Sequence, residues 1–163
     1  MAFDRSRTLR GALAGTAAAA VWHAQMPLDK RVFRSDFDDA EALSTLAGTT
    51  AAVGALLHLQ NGALFGALYA NVVASLPGPP VLRGPLAALA EHVATWPAMA
   101  LVSPALVRSG RAFVQSAWRH ALFGLVLGEL ERRLNGPVEL QPVSDEAVAS
   151  NGHGSAAHLV ATR

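Results

Sequence analysis

Residues Ala42 to Leu82 contain no Asp, Glu, Lys or Arg, a run of forty-one uncharged positions in a chain of 163. A water-soluble domain of this size would have to bury nearly all of that run. Across the whole chain, 52% of residues are hydrophobic and 15% are charged, a poor match to a soluble globule. The charges are also clumped, at Arg5–Arg10, Asp29–Glu41 and Glu129–Arg133. Apolar spans alternating with charged loops are the pattern of a chain that crosses a bilayer repeatedly. Pro77-Gly-Pro-Pro80 interrupts the long run and predicts a helix over residues 42–76. Such a helix would be about 50 Å long against a hydrocarbon core of about 30 Å, so its first turns are expected to project into water.

Three further spans follow from the same reading. The first covers about residues 9–28, with Arg5, Arg7 and Arg10 before it and Pro27, Asp29, Lys30 and Arg31 at its end. Its Ala-rich centre also has the form of a secretory signal, but Trp22, His23 and the apolar residues beyond them fit a retained helix better. The third span, 84–107, holds Glu91 and His92, with Pro97 and Pro104 as expected kink points. The fourth, 111–134, carries Arg119 and His120 in its interior and is credible only as a helix whose polar face meets other protein. The expected fold is therefore all-α: a polytopic membrane protein with a four-helix transmembrane domain over residues 1–134. Residues 135–163, rich in Ser, Gly, His and Ala, read as a disordered tail that includes His153 and His158.

Composition excludes several functions. A net charge of +1 with scattered arginines does not make a nucleic-acid surface. With no cysteine, disulfides, thiolate catalysis and Cys-ligated clusters are ruled out. The chain has no Gly-x-Ser-x-Gly, no phosphate-binding loop and no His-Glu-x-x-His, so the expectation is a non-enzyme without cofactor or metal. Asp36, Asp38, Asp39 and Glu41 suit the N-terminal turn of a helix better than a cation site.

A weak internal repeat is visible. Arg10-Gly-Ala-Leu-Ala14 matches Arg83-Gly-Pro-Leu-Ala87, each followed by a tryptophan, Trp22 and Trp96. His58-x3-Gly62-x3-Gly66 matches His120-x3-Gly124-x3-Gly128. Two tandem helical hairpins in the same orientation would produce this order. The small residues Gly11, Gly15, Gly62, Gly66, Gly124 and Gly128 are the expected helix-packing positions, where backbones can approach closely.

Counting about 1.5 Å of rise per residue from the membrane face taken to hold Gly11, Leu76, Gly84 and Leu130 brings His23, Glu91, His92, Arg119 and His120 to similar midmembrane depths, with His58 about 10 Å further on. A charge at that depth costs about 3 kcal/mol or more, so Glu91 and Arg119 are expected to pair. Three roles fit the cluster: an ion pair that fixes helix register, a proton-responsive group, or histidine ligation of haem. Basic residues divide six to five between the two loop sides once Arg119 is set aside, a slight preference for both termini in the cytoplasm.

The spans also resemble the YagU-like family of bacterial inner-membrane proteins over roughly residues 9–134. The shared features are Gly11-x3-Gly15 with Trp22 and Pro27, His58 with Tyr69, His92-x3-Trp96-Pro97-x-Met99, and His120 with Glu129-x2-Arg132-Arg133. The short acidic first connector and the long tail depart from that pattern. The resemblance implies an inner-membrane location and an association with acid tolerance, and no defined chemistry. The favoured reading is a structural or regulatory bundle that acts through partners: the lipid bilayer, other membrane proteins, or a second copy of itself. A proton-responsive or small transport protein and a haem-binding protein are the alternatives.

Overall fold

The computed structural model describes residues 4–136. The expected tail, with His153 and His158, lies outside the described residues. Among those described, all regular structure is helical.

Helix α1 spans Arg5–Phe33, opened by the Asp4 carboxylate, which accepts from the backbone N–H groups of Ser6 and Arg7. It does not end at Leu28 as the charge pattern predicts. Pro27 deprives one carbonyl of its helical donor, yet the helix continues through it and stops at Arg34, whose φ of 51° is left-handed. The consequence is that Asp29 belongs to the helix and is buried.

The predicted helix over residues 42–76 is two helices. α2 covers Asp39–Leu46, with Asp38 accepting from the Ala40 and Glu41 N–H groups at its start. Gly48, at φ +60°, then turns the chain in a way that other residues resist. Thr50 caps α3, Ala51–Val72, which ends in a 3-10 turn over Val73–Ser75. The span expected over 84–107 is also broken. α4 is Pro80–Thr95, and a tighter 3-10 segment follows at Trp96–Leu101 because Pro97 cannot donate to a continuing α-helix. The short α5, Pro104–Arg108, leads to α6, Gly110–Asn135.

Four long helices pack in the order α3, α1, α6, α4. Arg7 on α1 reaches both the Ala70 carbonyl of α3 and Glu131 of α6, so neighbours in this row are antiparallel. The Asn135 side chain donates to the Arg7 carbonyl at 3.5 Å, which brings the two ends of the described chain together.

The outer pairs are built alike. On α1 and α3, Gly11 and Gly15 lie against Gly62 and Gly66; a Cβ at Gly62 would stand 2.6 Å from Ala19 Cβ and 2.7 Å from the Gly15 carbonyl oxygen. On α4 and α6, Gly84 lies against Gly124, with Gly128 beside it. Between the pairs sits a core of small residues, Ala14, Ala18, Ala19 and Ala88, with Trp22, Phe123 and Leu127. A second cluster of Phe37, Ala42, Trp96 and Ala112 closes the end where α2 and α5 lie.

Among the described residues, one segment, Ala51–Ser75, is by itself long and apolar enough to cross a membrane. α1 and α6 have the length with a less apolar composition, and α4 has only 16 residues.

The glycine contacts make a direct prediction. Gly15→Ala places a methyl group against the Gly62 backbone and should cost about 1–3 kcal/mol as the helices move apart. Gly110→Ala, with nothing within 4 Å of the added carbon, should be neutral or slightly stabilising. Thermal unfolding of the two purified variants beside the parent protein checks this, and equal melting temperatures would remove the close-packing role of Gly15.

Candidate functional site

Arg119 is the largest fully buried side chain among the described residues, at 0% exposure. Its pairing is not the one its depth suggests. Nε and Nη2 donate to the two oxygens of Asp29 at 2.5 and 2.6 Å, a bidentate fork. Nη1 donates to Asp39 Oδ2 at 2.6 Å, and Nη2 also reaches the Phe37 carbonyl at 3.1 Å. Gln115 and Gln25 complete the shell of Asp29 at 2.7 and 2.6 Å, and the Trp22 indole donates to Asp39 at 3.2 Å. One residue on α6 thereby joins α1, the α1–α2 loop and the first turn of α2.

The expected Glu91–Arg119 pair does not form. Successive residues on a helix point about 100° apart, so Arg119 faces α1 while His120 faces α4. Glu91 instead meets His120, with Oε2 3.0 Å from Nε2. His92 packs beside that pair, its ring 4.7 Å from the His120 ring and 5.3 Å from Trp96. His23 is exposed and does not line the cavity, although its ring stands 6.4 Å from that of His58. His58 takes its place. Trp22 stands between His58 and His120, with ring centroids at 5.0 and 4.5 Å.

Depth counting misplaced His58 because it took Leu76 as level with Gly11. The glycine contacts instead align Gly11 with Gly66 and Ala70. Counted from Ala70, His58 lies about 18 Å along the helix, the level of Trp22.

These side chains line a cavity of about 450 Å³ between α3 and α4, the two ends of the helix row. Trp22, Phe65, Trp96 and Phe123 supply aromatic walls, and Asp39, His58, Glu91, His92 and His120 supply the titratable groups. Leu64 and Leu68 are exposed at its mouth. Two polar atoms stand out. Of the four buried side-chain atoms without a hydrogen-bond partner among the described residues, two are His58 Nε2 and His92 Nε2, on residues only 9% and 1% exposed, and the others are Gln115 Oε1 and Asn135 Oδ1. An unsatisfied buried nitrogen costs about 1–3 kcal/mol, and both histidines line the cavity. No group of three or more His, Asp or Glu among the described residues is placed to hold a metal ion.

Beside the α1–α2 loop, the Lys30 ammonium donates to Asp38 Oδ2 at 2.8 Å. Burial alone would raise the Asp38 carboxyl, but the Lys30 ammonium and the Glu41 and Ala40 N–H groups outweigh it and hold the pKa below the usual carboxylate range.

Asp29 is the site residue that charge clustering concealed. It follows Trp22 and Met26 at helical spacing, on the stripe begun by Gly11, Gly15 and Ala18, and that phase was the available signal. Asp39 offered no comparable sign, since an acid in the first turn of a helix has a sufficient local reason to be there.

Fold and site together define a small all-α bundle, two glycine-paired sets of helices flanking a half-open, histidine-lined cavity. The chain belongs to the DUF6789 family, a family of unknown function, which matches residues 6–141. No curated protein and no solved structure matches it.

The pairing can be tested by double-mutant cycles. Arg119→Ala strands two carboxylates and should cost about 3–5 kcal/mol, and adding Asp29→Ala should recover part of that loss. Glu91→Ala and Arg119→Ala should instead add within about 0.5 kcal/mol. Coupling in the second cycle and additivity in the first would reverse the assignment.

Proposed function

We propose that this protein is a multi-pass membrane bundle whose working part is the cavity between α3 and α4, a proton-responsive binding site for a small molecule. The observation that carries this reading is the pair of buried, unpartnered nitrogens on His58 and His92. Both belong to residues that line one cavity, whereas the other buried side-chain atoms without a partner among the described residues, Gln115 Oε1 and Asn135 Oδ1, belong to residues outside its lining. A ligand in the cavity would supply the missing partners.

The membrane part of the proposal rests on the outer surface. Leu9, Leu13, Leu56, Leu86, Val93 and Leu125 are exposed on all four long helices, while Asp29, His92, Gln115, Ser116 and Arg119 are buried between them. Water would make that arrangement unfavourable, and lipid suits it. The resemblance to YagU-like proteins adds the bacterial inner membrane and acid tolerance to the proposal. With Arg7 and Asn135 together on one side, both ends of the described residues would face the cytoplasm. Binding through the cavity accounts for more of the site than action through protein partners alone.

The absence of native cysteine makes the test direct. Single cysteines at Leu56, Val93 and Leu125 should resist a water-soluble thiol reagent in intact membranes, whereas Arg132→Cys should react readily. Asn61→Cys, on the cavity wall, should react with a small thiosulfonate. Uniform labelling of all five would overturn the membrane placement, and an inert Asn61→Cys would overturn the open cavity.

A further inference from the structure

We propose that the cavity takes an organic cation and that this cation exchanges with a proton shared by Glu91 and His120, an inference that rests on the binding-site reading above.

The first argument is charge. Asp39 and Glu91 line the cavity, and among its described lining residues none is Lys or Arg. The Arg119 guanidinium lies behind the wall with its donors committed to Asp29, Asp39 and the Phe37 carbonyl. Three carboxylates, Asp29, Asp39 and Glu91, stand against one guanidinium and the one proton that Glu91 shares with His120, which leaves one negative charge beside the cavity. Lys30 does not cancel it, because it is held by Asp38. An anionic ligand would meet Asp39 and Glu91, with the Arg119 donors already committed and the His120 proton already held by Glu91.

The second argument is surface chemistry. Trp22, Trp96, Phe65 and Phe123 present ring faces and edges, which attract organic cations most strongly where water is excluded. The free Nε2 atoms of His58 and His92 can accept hydrogen bonds from an ammonium N–H. Leu64 and Leu68 at the mouth suit an apolar portion of the same molecule. Acids, aromatic faces and imidazole acceptors in one pocket match a cation with apolar substituents better than a bare metal ion.

The third argument concerns the proton. His120 Nδ1 lies 2.8 Å from the Ser116 carbonyl oxygen, which can only accept, so Nδ1 carries hydrogen. His120 Nε2 lies 3.0 Å from Glu91 Oε2. A neutral imidazole protonated at Nδ1 would turn a lone pair toward that carboxylate. The contact therefore holds a proton shared between the imidazole and the carboxylate. The other groups facing His120 are His92 on α4, Trp22 on α1 and Ser116 on α6, with His58 and Asp39 across the cavity. None is a cation at neutral pH.

A cation that settles against Glu91 takes over its carboxylate, and the Nε2 proton of His120 leaves to water. One positive charge enters and one leaves. Because binding releases a proton, affinity rises with pH, by up to about tenfold per unit while the empty-site pair is protonated.

The full-length protein in detergent provides the test, with tetraphenylphosphonium as probe and tetraphenylborate as an anion of the same shape, followed by Trp fluorescence and equilibrium dialysis at pH 6, 7 and 8. The phosphonium ion should bind saturably, more tightly at pH 8 than at pH 6, and should protect Asn61→Cys from thiosulfonate. Glu91→Gln should weaken binding at least tenfold and flatten the pH dependence, while His120→Gln should flatten it with a smaller loss. Glu91 is partly exposed, so the Gln variant should fold, and an unchanged melting temperature verifies that. Equal binding of both ions, or phosphonium binding that ignores pH in the parent protein, overturns the cation–proton proposal while the cavity stands. Binding of neither ion overturns it as well, and an unreactive Asn61→Cys in the same preparation would show that the cavity reading has failed with it.

Discussion

A guanidinium removed from water must be answered on all its faces, and Arg119 organises the molecule around that demand. Its two carboxylate partners lie 90 and 80 residues away in the chain, on α1 and at the start of α2. α1 must run past Pro27 to present Asp29, and α2 must begin where it does to present Asp39. The join between the two halves, α1 against α6, is therefore specified by charge as well as by shape. Packing of Ala and Leu alone would tolerate sliding by a helical turn, whereas a bidentate fork does not.

Glycine performs a different task at the outer contacts. Where α1 meets α3 and α4 meets α6, side chains are all but absent and backbones touch. In lipid, where apolar side chains gain little by leaving the solvent, such contact is a principal source of helix association. Each pair holds itself together in this way, and the inner helices make the main join between the pairs, with Phe65 of α3 also touching Phe123 of α6. α3 and α4 are left on either side of a gap, and that gap is the cavity.

The repeat is imperfect where it matters for chemistry. Aligning Gly11 with Gly84 sets Ala18 and Ala19 against Glu91 and His92. Small residues in the first copy leave room, and charged or polar ones in the second fill part of it. The equivalent histidines, His58 and His120, have also diverged in their partners. His120 is engaged by Glu91 and the Ser116 carbonyl, while His58 keeps a free nitrogen. A near-symmetric frame thus encloses an asymmetric site, with a proton-holding side on α4 and α6 and an open acceptor on α3.

Much of this was legible in the chain itself. Uncharged runs broken by prolines and glycines dictate helices and nothing else, and the spaced glycines mark which helix faces approach closely. Glu91, His92, Arg119 and His120 stand out because a polar residue inside an apolar run is costly without a purpose. What one dimension could not supply was pairing. Helix ends depend on local events such as the left-handed turns at Arg34 and Gly48, and the end of α1 decides whether Asp29 is a loop residue or a buried counter-ion. Relative height depends on which glycines meet, and that choice brought His58 to Trp22 and left His23 outside. Rotation separates Arg119 from its neighbour His120, sending one to Asp29 and the other to Glu91. The sequence determined that this protein is helical and carries costly polar groups among apolar ones; tertiary structure decided which of them meet, because helix register and rotation are set by contacts between residues far apart in the chain.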